Sequence, residues 1–166
     1  MHDVHHTVDH DSYSDDYLRE ILGSVKTIAM VGASANWNRP SFFVMKYLCR
    51  KGYQVIPVNP TAAGKKILGA PVVATLADLA AAPDMVDVFR PAAECVAIAE
   101  EAVRIGARVL WMQLGIRNDD AARIAEAAGL KVVMNRCPKI EYARLHGELG
   151  WTGINSRVIS SKRRKV

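Results

Sequence analysis

The segment Thr27–Val58, TIAMVGASANWNRPSFFVMKYLCRKGYQVIPV, decides the fold. Thr27-Ile28-Ala29-Met30-Val31 is an apolar run of strand length that stops at Gly32. Pro40 and Ser41 then open a helix through Phe42, Val44, Met45 and Leu48, which Gly52 closes. Tyr53–Val58 is a second apolar strand. Outward from this strand–helix–strand unit the alternation repeats. A first helix is predicted from Ser14 or Asp15 to Ser24, with acidic residues in its first turn. After a loop rich in Gly, Lys and Pro come a short helix over Leu76–Ala82 and a third strand over Met85–Phe89. A helix over Ala92–Ile105, a strand over Arg108–Met112, a helix from Asn118 to Gly129 and a strand over Leu130–Met134 follow. A last helix begins near Pro138.

Short apolar strands alternating with helices specify an α/β fold, a single doubly wound parallel five-stranded sheet with helices on both faces. Right-handed crossovers favour the Rossmann-like order 3-2-1-4-5. The chain of 166 residues suits one domain, assigned to 15–150. Its ends differ in composition. Residues 1–16 hold four of the five histidines and five aspartates without a lysine or arginine, so 1–14 is expected to be a flexible tail. His2, His5, His6 and His10 could bind a transition metal, but a solvated tail is the better reading and no metal site is assigned. Residues 156–166 form a basic tail.

Net charge is +5, from 22 basic and 17 acidic residues, yet Lys162, Arg163, Arg164 and Lys165 carry most of it. The body is nearly neutral, which argues against a nucleic-acid partner beyond what the tail could touch. No apolar run is long enough for a membrane span and the start lacks signal-peptide character, so a cytoplasmic protein is expected. Cys49, Cys95 and Cys137 make neither a zinc pattern nor a disulfide framework.

In such sheets ligands bind beyond the carboxyl ends of the strands. The loops there are Gly32–Ser41, Asn59–Leu68, Phe89–Pro91, Gln113–Arg117 and Asn135–Lys139. Gly32 would let backbone approach a phosphate, the following helix offers free N–H groups, and Arg39 adds a guanidinium. The dinucleotide fingerprint would need glycines where Ser34 and Trp37 stand. The second strand ends in Val58-Asn59-Pro60 rather than in an acid for the ribose, and Lys65 and Lys66 follow. That pattern suits an adenine nucleotide with an extra phosphate, either NADP or coenzyme A (CoA). Trp37 is read either as a stacking residue or as a cover for the sheet edge, and Trp111 as core.

Six strings in order carry a family resemblance: Val31-Gly32-Ala33-Ser34, Asn38-Arg39-Pro40-Ser41, Val55-Ile56-Pro57-Val58-Asn59-Pro60, Val86-Asp87-Val88-Phe89-Arg90, Leu110-Trp111-Met112-Gln113-Leu114-Gly115 and Asn135-Arg136-Cys137-Pro138-Lys139. From about Ile21 to Tyr142 the chain resembles the stand-alone CoA-binding domain proteins, whose fold is also the N-terminal domain of the succinyl-CoA synthetase alpha subunit. The resemblance implies binding of CoA or an acyl-CoA through its ADP part. Gly32, Ala33 and Ser34, with Asn38, Arg39, Pro40 and the helix start at Ser41, would take the pyrophosphate. Asn59, Pro60 and Lys65 would flank the adenosine and its 3′-phosphate, and Met112, Gln113 and Leu114 would lie along the nucleotide or pantetheine. Ligase activity does not carry over, because His146 is the only histidine outside the tail and no motif supports it.

Cys137 starts a helix between Arg136 and Lys139, which would favour its thiolate and make it the most reactive of the three thiols, able to meet the CoA thiol and form a mixed disulfide under oxidation. Cys49 and Cys95 read as packing residues. Glu141 could act as an acid or base but has no partner in the sequence. A carrier, sensor or regulatory protein, working as a homodimer or with another protein, is therefore expected rather than an enzyme. The alternatives are an NADP- or CoA-dependent enzyme with unidentified acid–base groups and a nucleic-acid module acting through Lys162–Lys165.

Overall fold

The computed structural model describes residues 8–148. Helix α1 (Asp15–Ser24) starts where Ser14 accepts a hydrogen bond from the Tyr17 N–H. β1 (Thr27–Val31), α2 (Pro40–Arg50) and β2 (Gln54–Val58) follow as the sequence predicts. A hairpin of β3 (Lys66–Ile67) and β4 (Ala70–Pro71) then precedes β5 (Met85–Val88), α3 (Cys95–Arg104), β6 (Val109–Met112), α4 (Asp119–Ala127), β7 (Lys131–Val133) and α5 (Pro138–Leu145). The helix predicted over Leu76–Ala82 is only a single 3-10 turn, Leu76–Asp78. Thr75 and Asp78 box its start, and Pro83 removes the N–H that a further turn would need.

The five main strands are all parallel, in the order β2-β1-β5-β6-β7. The doubly wound, Rossmann-like sheet is therefore present, and one detail of its order needs correction. The strand over Met85–Val88 lies beside β1, not outside β2. The place outside β2 is filled by a rudimentary parallel bridge, Val58 to Val73. There the Val73 N–H donates to the Pro57 carbonyl at 3.1 Å, and the Asn59 N–H donates to the Val73 carbonyl at 2.9 Å. Counting Val73 as the third strand restores the order 3-2-1 on that side, with β5, β6 and β7 completing the other.

Both faces of the sheet are buried, so side chains alternate between two cores. Met30, Val109, Trp111 and Val133 pack towards α1, α2 and α5. Ala29, Val86, Leu110, Met112 and Val132 pack towards α3 and α4. The second core is rich in alanine: Ala99, Ala102, Ala121, Ala122 and Ala125 are buried and let α3 and α4 pack closely. No described helix is long and apolar enough to cross a membrane.

Part of the segment expected as the N-terminal tail lies against the body. His10 hydrogen-bonds Tyr13 at 2.7 Å and Glu126 at 2.6 Å. The Tyr13 hydroxyl accepts the Met134 N–H at 2.8 Å. The Tyr17 hydroxyl donates to the Val132 carbonyl at 2.8 Å and accepts from the Val132 N–H at 3.1 Å. Two phenols thus satisfy the outer side of β7, where a sixth strand could otherwise have paired. His2, His5, His6 and the basic cluster Lys162–Lys165 lie outside the described residues.

Candidate functional site

The chain leaves β1 to one side for β2 and later returns to the other side for β5, so the crevice beyond β1 and β5 is the topological switch point. Gly32 sits at its base with φ +86°, and its N–H donates to the Val58 carbonyl at 2.9 Å. A Cβ there would lie 2.6 Å from the Phe89 carbonyl oxygen and 2.9 Å from Arg90 Cδ. The glycine is needed first for the close approach of the chain leaving β5. The expectation that it makes room for a phosphate is secondary to that internal contact.

Hydrogen bonds fix the loop above it. The Ser34 N–H donates to the buried Ser41 hydroxyl at 3.1 Å, the Asn36 N–H to the Ser34 hydroxyl at 3.1 Å, and the Asn38 N–H to Asn36 Oδ1 at 3.0 Å. Ser41, the second residue of α2, thus ties the helix start back to the strand end. Asn59 bridges the next loop: its Nδ2 donates to the Ala33 carbonyl at 2.9 Å, while its Oδ1 accepts the Thr61 N–H at 2.9 Å and the Thr61 hydroxyl at 2.8 Å. Its polar atoms are engaged within the chain, so Asn59 shapes the loop.

A cavity of about 430 Å³ opens beside this loop. Asn38, Pro40, Phe43 and Val44 line it from the loop and α2, Gln113 and Leu114 from the turn after β6, and Cys137, Lys139, Ile140 and Ala143 from α5 and its start. Of the residues singled out in the sequence, Asn38, Pro40, Gln113, Leu114 and Cys137 therefore meet on one surface. Gly32, Ala33, Ser34, Ser41 and Asn59 form the hydrogen-bonded base beside it. Lys65, exposed after Pro60, does not line the cavity, and neither does Arg39. Met112 is a correction: its side chain is fully buried on the opposite face, against the α3–α4 core.

Among the described residues, Arg39, Lys65, Lys66 and Lys139 form no ion pair, whereas Lys51, Arg90, Arg108, Arg117, Lys131 and Arg144 each have an acidic partner. Unpaired cations in the strand-end loops suit an anionic ligand with several phosphates better than a bare diol. Trp37 is 67% exposed, so it covers no sheet edge. Trp111 is core, as expected, its indole N–H donating to the Arg136 carbonyl at 2.9 Å.

The expectation of a reactive Cys137 is overturned. The residue is buried, and burial pushes its thiol up, against the lowering effect of the Ile140 and Lys139 N–H groups and of Gln113. Arg136 does not serve the sulfur, since its guanidinium donates to the Asn135 and Asp11 carbonyls and lies over Tyr13. Cys95 is a buried packing residue as expected, whereas Cys49 is exposed. Glu141 is buried and bound by Arg144 at 2.9 Å, which also holds Asp15, so it is not a free acid or base. His146 stacks on Tyr142 with ring centroids 3.8 Å apart.

Sequence reasoning gave no role to Asp87. In mid-β5, between Met30 and Trp111, its carboxyl is fully buried and neither oxygen has a hydrogen-bond partner. Burial pushes the group well above its ordinary value and so favours its neutral form. The available signal was one acidic residue in the strand Met85-Val86-Asp87-Val88, which is buried at every position.

The family model described as CoA binding domain matches residues 26–143. The chain belongs to the CoA-binding domain family. The family match takes in every strand of the sheet, the loops after them and most of α5. Among relatives, the uncharacterized protein YneT of Bacillus subtilis is 36% identical over 126 residues, covering 76% of this chain and 92% of its own. A hypothetical protein from Pyrococcus horikoshii OT3 has a structure similar to this one, with TM-score 0.79 and 38% identity, over 87% of this chain and 100% of that one. A Thermus thermophilus structure matches with TM-score 0.76 and 38% identity, over 80% and 99% of the two chains. CoA-binding domain membership agrees with the resemblance read from the sequence strings.

Proposed function

We propose that the protein binds CoA or an acyl-CoA through its ADP part at the switch-point crevice, as a carrier, sensor or regulatory protein without ligase activity of its own. The observation that carries this reading is the set of unpaired cations, Arg39, Lys65, Lys66 and Lys139, on the strand-end loops of a chain in the CoA-binding domain family. The pyrophosphate would meet the Ser34–Ser41 loop and the start of α2, where Pro40 occupies the first helical turn and Arg39 precedes it. Lys65 would answer the 3′-phosphate, the group that separates CoA from dephospho-CoA.

Isothermal titration of the full, reduced chain with CoA, dephospho-CoA and NADP tests this. CoA is expected to bind, with affinity falling about tenfold or more on loss of the 3′-phosphate and by a similar factor in Lys65→Ala, the range of one charge-assisted contact. Binding of NADP without CoA would replace this reading with that of an NADP-dependent protein.

A further inference from the structure

The ADP part of CoA leaves the cavity between α2 and α5 unexplained. Phe43, Val44, Leu114, Ile140 and Ala143 give it an apolar wall, and Gln113 closes it from the turn after β6. Two of these side chains are unusually open for their type: Phe43 is 48% exposed and Leu114 is 51% exposed. Gln113 is only 7% exposed, and its Oε1 has no hydrogen-bond partner. That oxygen is closed off from solvent, so Gln113 bounds the cavity with the rest of its side chain. Lys139, which also lines the cavity, has its ammonium 5.6 Å from the centre of the Tyr47 ring, a cation–π contact.

We infer that this cavity is an acyl pocket, which takes a short aliphatic acyl group from a CoA thioester. The inference rests on the proposed CoA site, because Asn38 and Pro40 belong both to the loop assigned there to the pyrophosphate and to the cavity edge. A volume of about 430 Å³ lies in the range of small-ligand pockets. Free CoA would bring only a thiol to it and leave the apolar wall against water. An aliphatic thioester would cover that wall, so the preferred ligand is the acylated form.

Titration of the full reduced chain with CoA and with acetyl-, butyryl- and hexanoyl-CoA tests the pocket. Affinity is expected to rise about fourfold per added methylene along the aliphatic series until the cavity is full. Ala143→Leu, which fills the cavity, should return butyryl- and hexanoyl-CoA to the level of CoA and leave CoA itself unchanged. Phe43→Ser, at an exposed position that does not threaten folding, should lower hexanoyl-CoA affinity several-fold with CoA again unchanged. Equal affinity for CoA and all its thioesters would overturn the acyl pocket and leave the CoA site standing. Failure of CoA and of every thioester to bind would overturn both.

Discussion

Gly32 shows how one missing methyl group couples two strands. Its positive φ is strained for other residues, and a Cβ would press on the Phe89 carbonyl from 2.6 Å. Gly32→Ala is expected to lose about 2–4 kcal/mol of stability in urea unfolding, because backbone strain and the clash act together. A loss below 1 kcal/mol would show that the β1–β5 junction can yield. Asp87 gives a pH prediction. Burial favours the neutral form of its carboxyl in the folded chain, whereas in the unfolded chain it ionises freely. The stability it contributes is whole below the unfolded pKa near 3.9 and falls as pH rises towards the raised folded value, at up to about 1.4 kcal/mol per pH unit. Asp87→Asn should remove that slope in unfolding curves taken between pH 4 and pH 7. An unchanged slope would mean that the carboxyl is charged in the fold.

At the scale of elements, α5 sets a helix N-terminus against burial, and for Cys137 burial prevails. Alkylation of the native protein should therefore modify the exposed Cys49 first, with Cys95 and Cys137 reacting only as the chain opens. Rapid native labelling of Cys137, followed by peptide mass analysis, would contradict the buried thiol. Helix α4 offers a test of capping. Asn118 Oδ1 accepts the Ala121 N–H at 3.0 Å, and its Nδ2 donates to the Ala92 carbonyl at 3.0 Å. Asn118→Ala should cost about 1–2 kcal/mol in urea unfolding, since it uncaps α4 and frees the turn before α3. The elements themselves were largely legible, because apolar runs and terminal glycines mark strands and helix ends by local chemistry. The site was less so. Both sheet faces are covered, so Trp111, Met112 and Gln113 read alike as chain, and nothing local says that Met112 faces away from the cavity. Cys137 misled for a related reason: its sequence neighbours are cations, but its spatial neighbours include Gln113 and Asp87. Asp87 itself stood in a quoted string, yet burial of a carboxyl from all sides is a property of the sheet.

For the molecule as a whole, the strand order shows the same division. The alternation specified a doubly wound sheet, but the place outside β2 went to Val73, since the chain there spends its length on the β3–β4 hairpin and a 3-10 turn. At the opposite margin, the Tyr13 and Tyr17 hydroxyls hold Met134 and Val132. Replacing both by Phe should cost about 1–3 kcal/mol and speed hydrogen exchange at the Val132 and Met134 amides. Unaltered exchange at those amides would show that the phenols are idle.

The two margins also limit how copies of this chain can associate. An open sheet edge is a template that each added strand regenerates, so association through it has no natural end. Here one margin is closed by a valine bridge and the other by two phenols, so strand addition has no free row of amides at which to begin. Among the described residues, self-association is left to the helical faces, where a two-fold contact of one patch with its own copy closes into a finite particle instead of growing into a fibre.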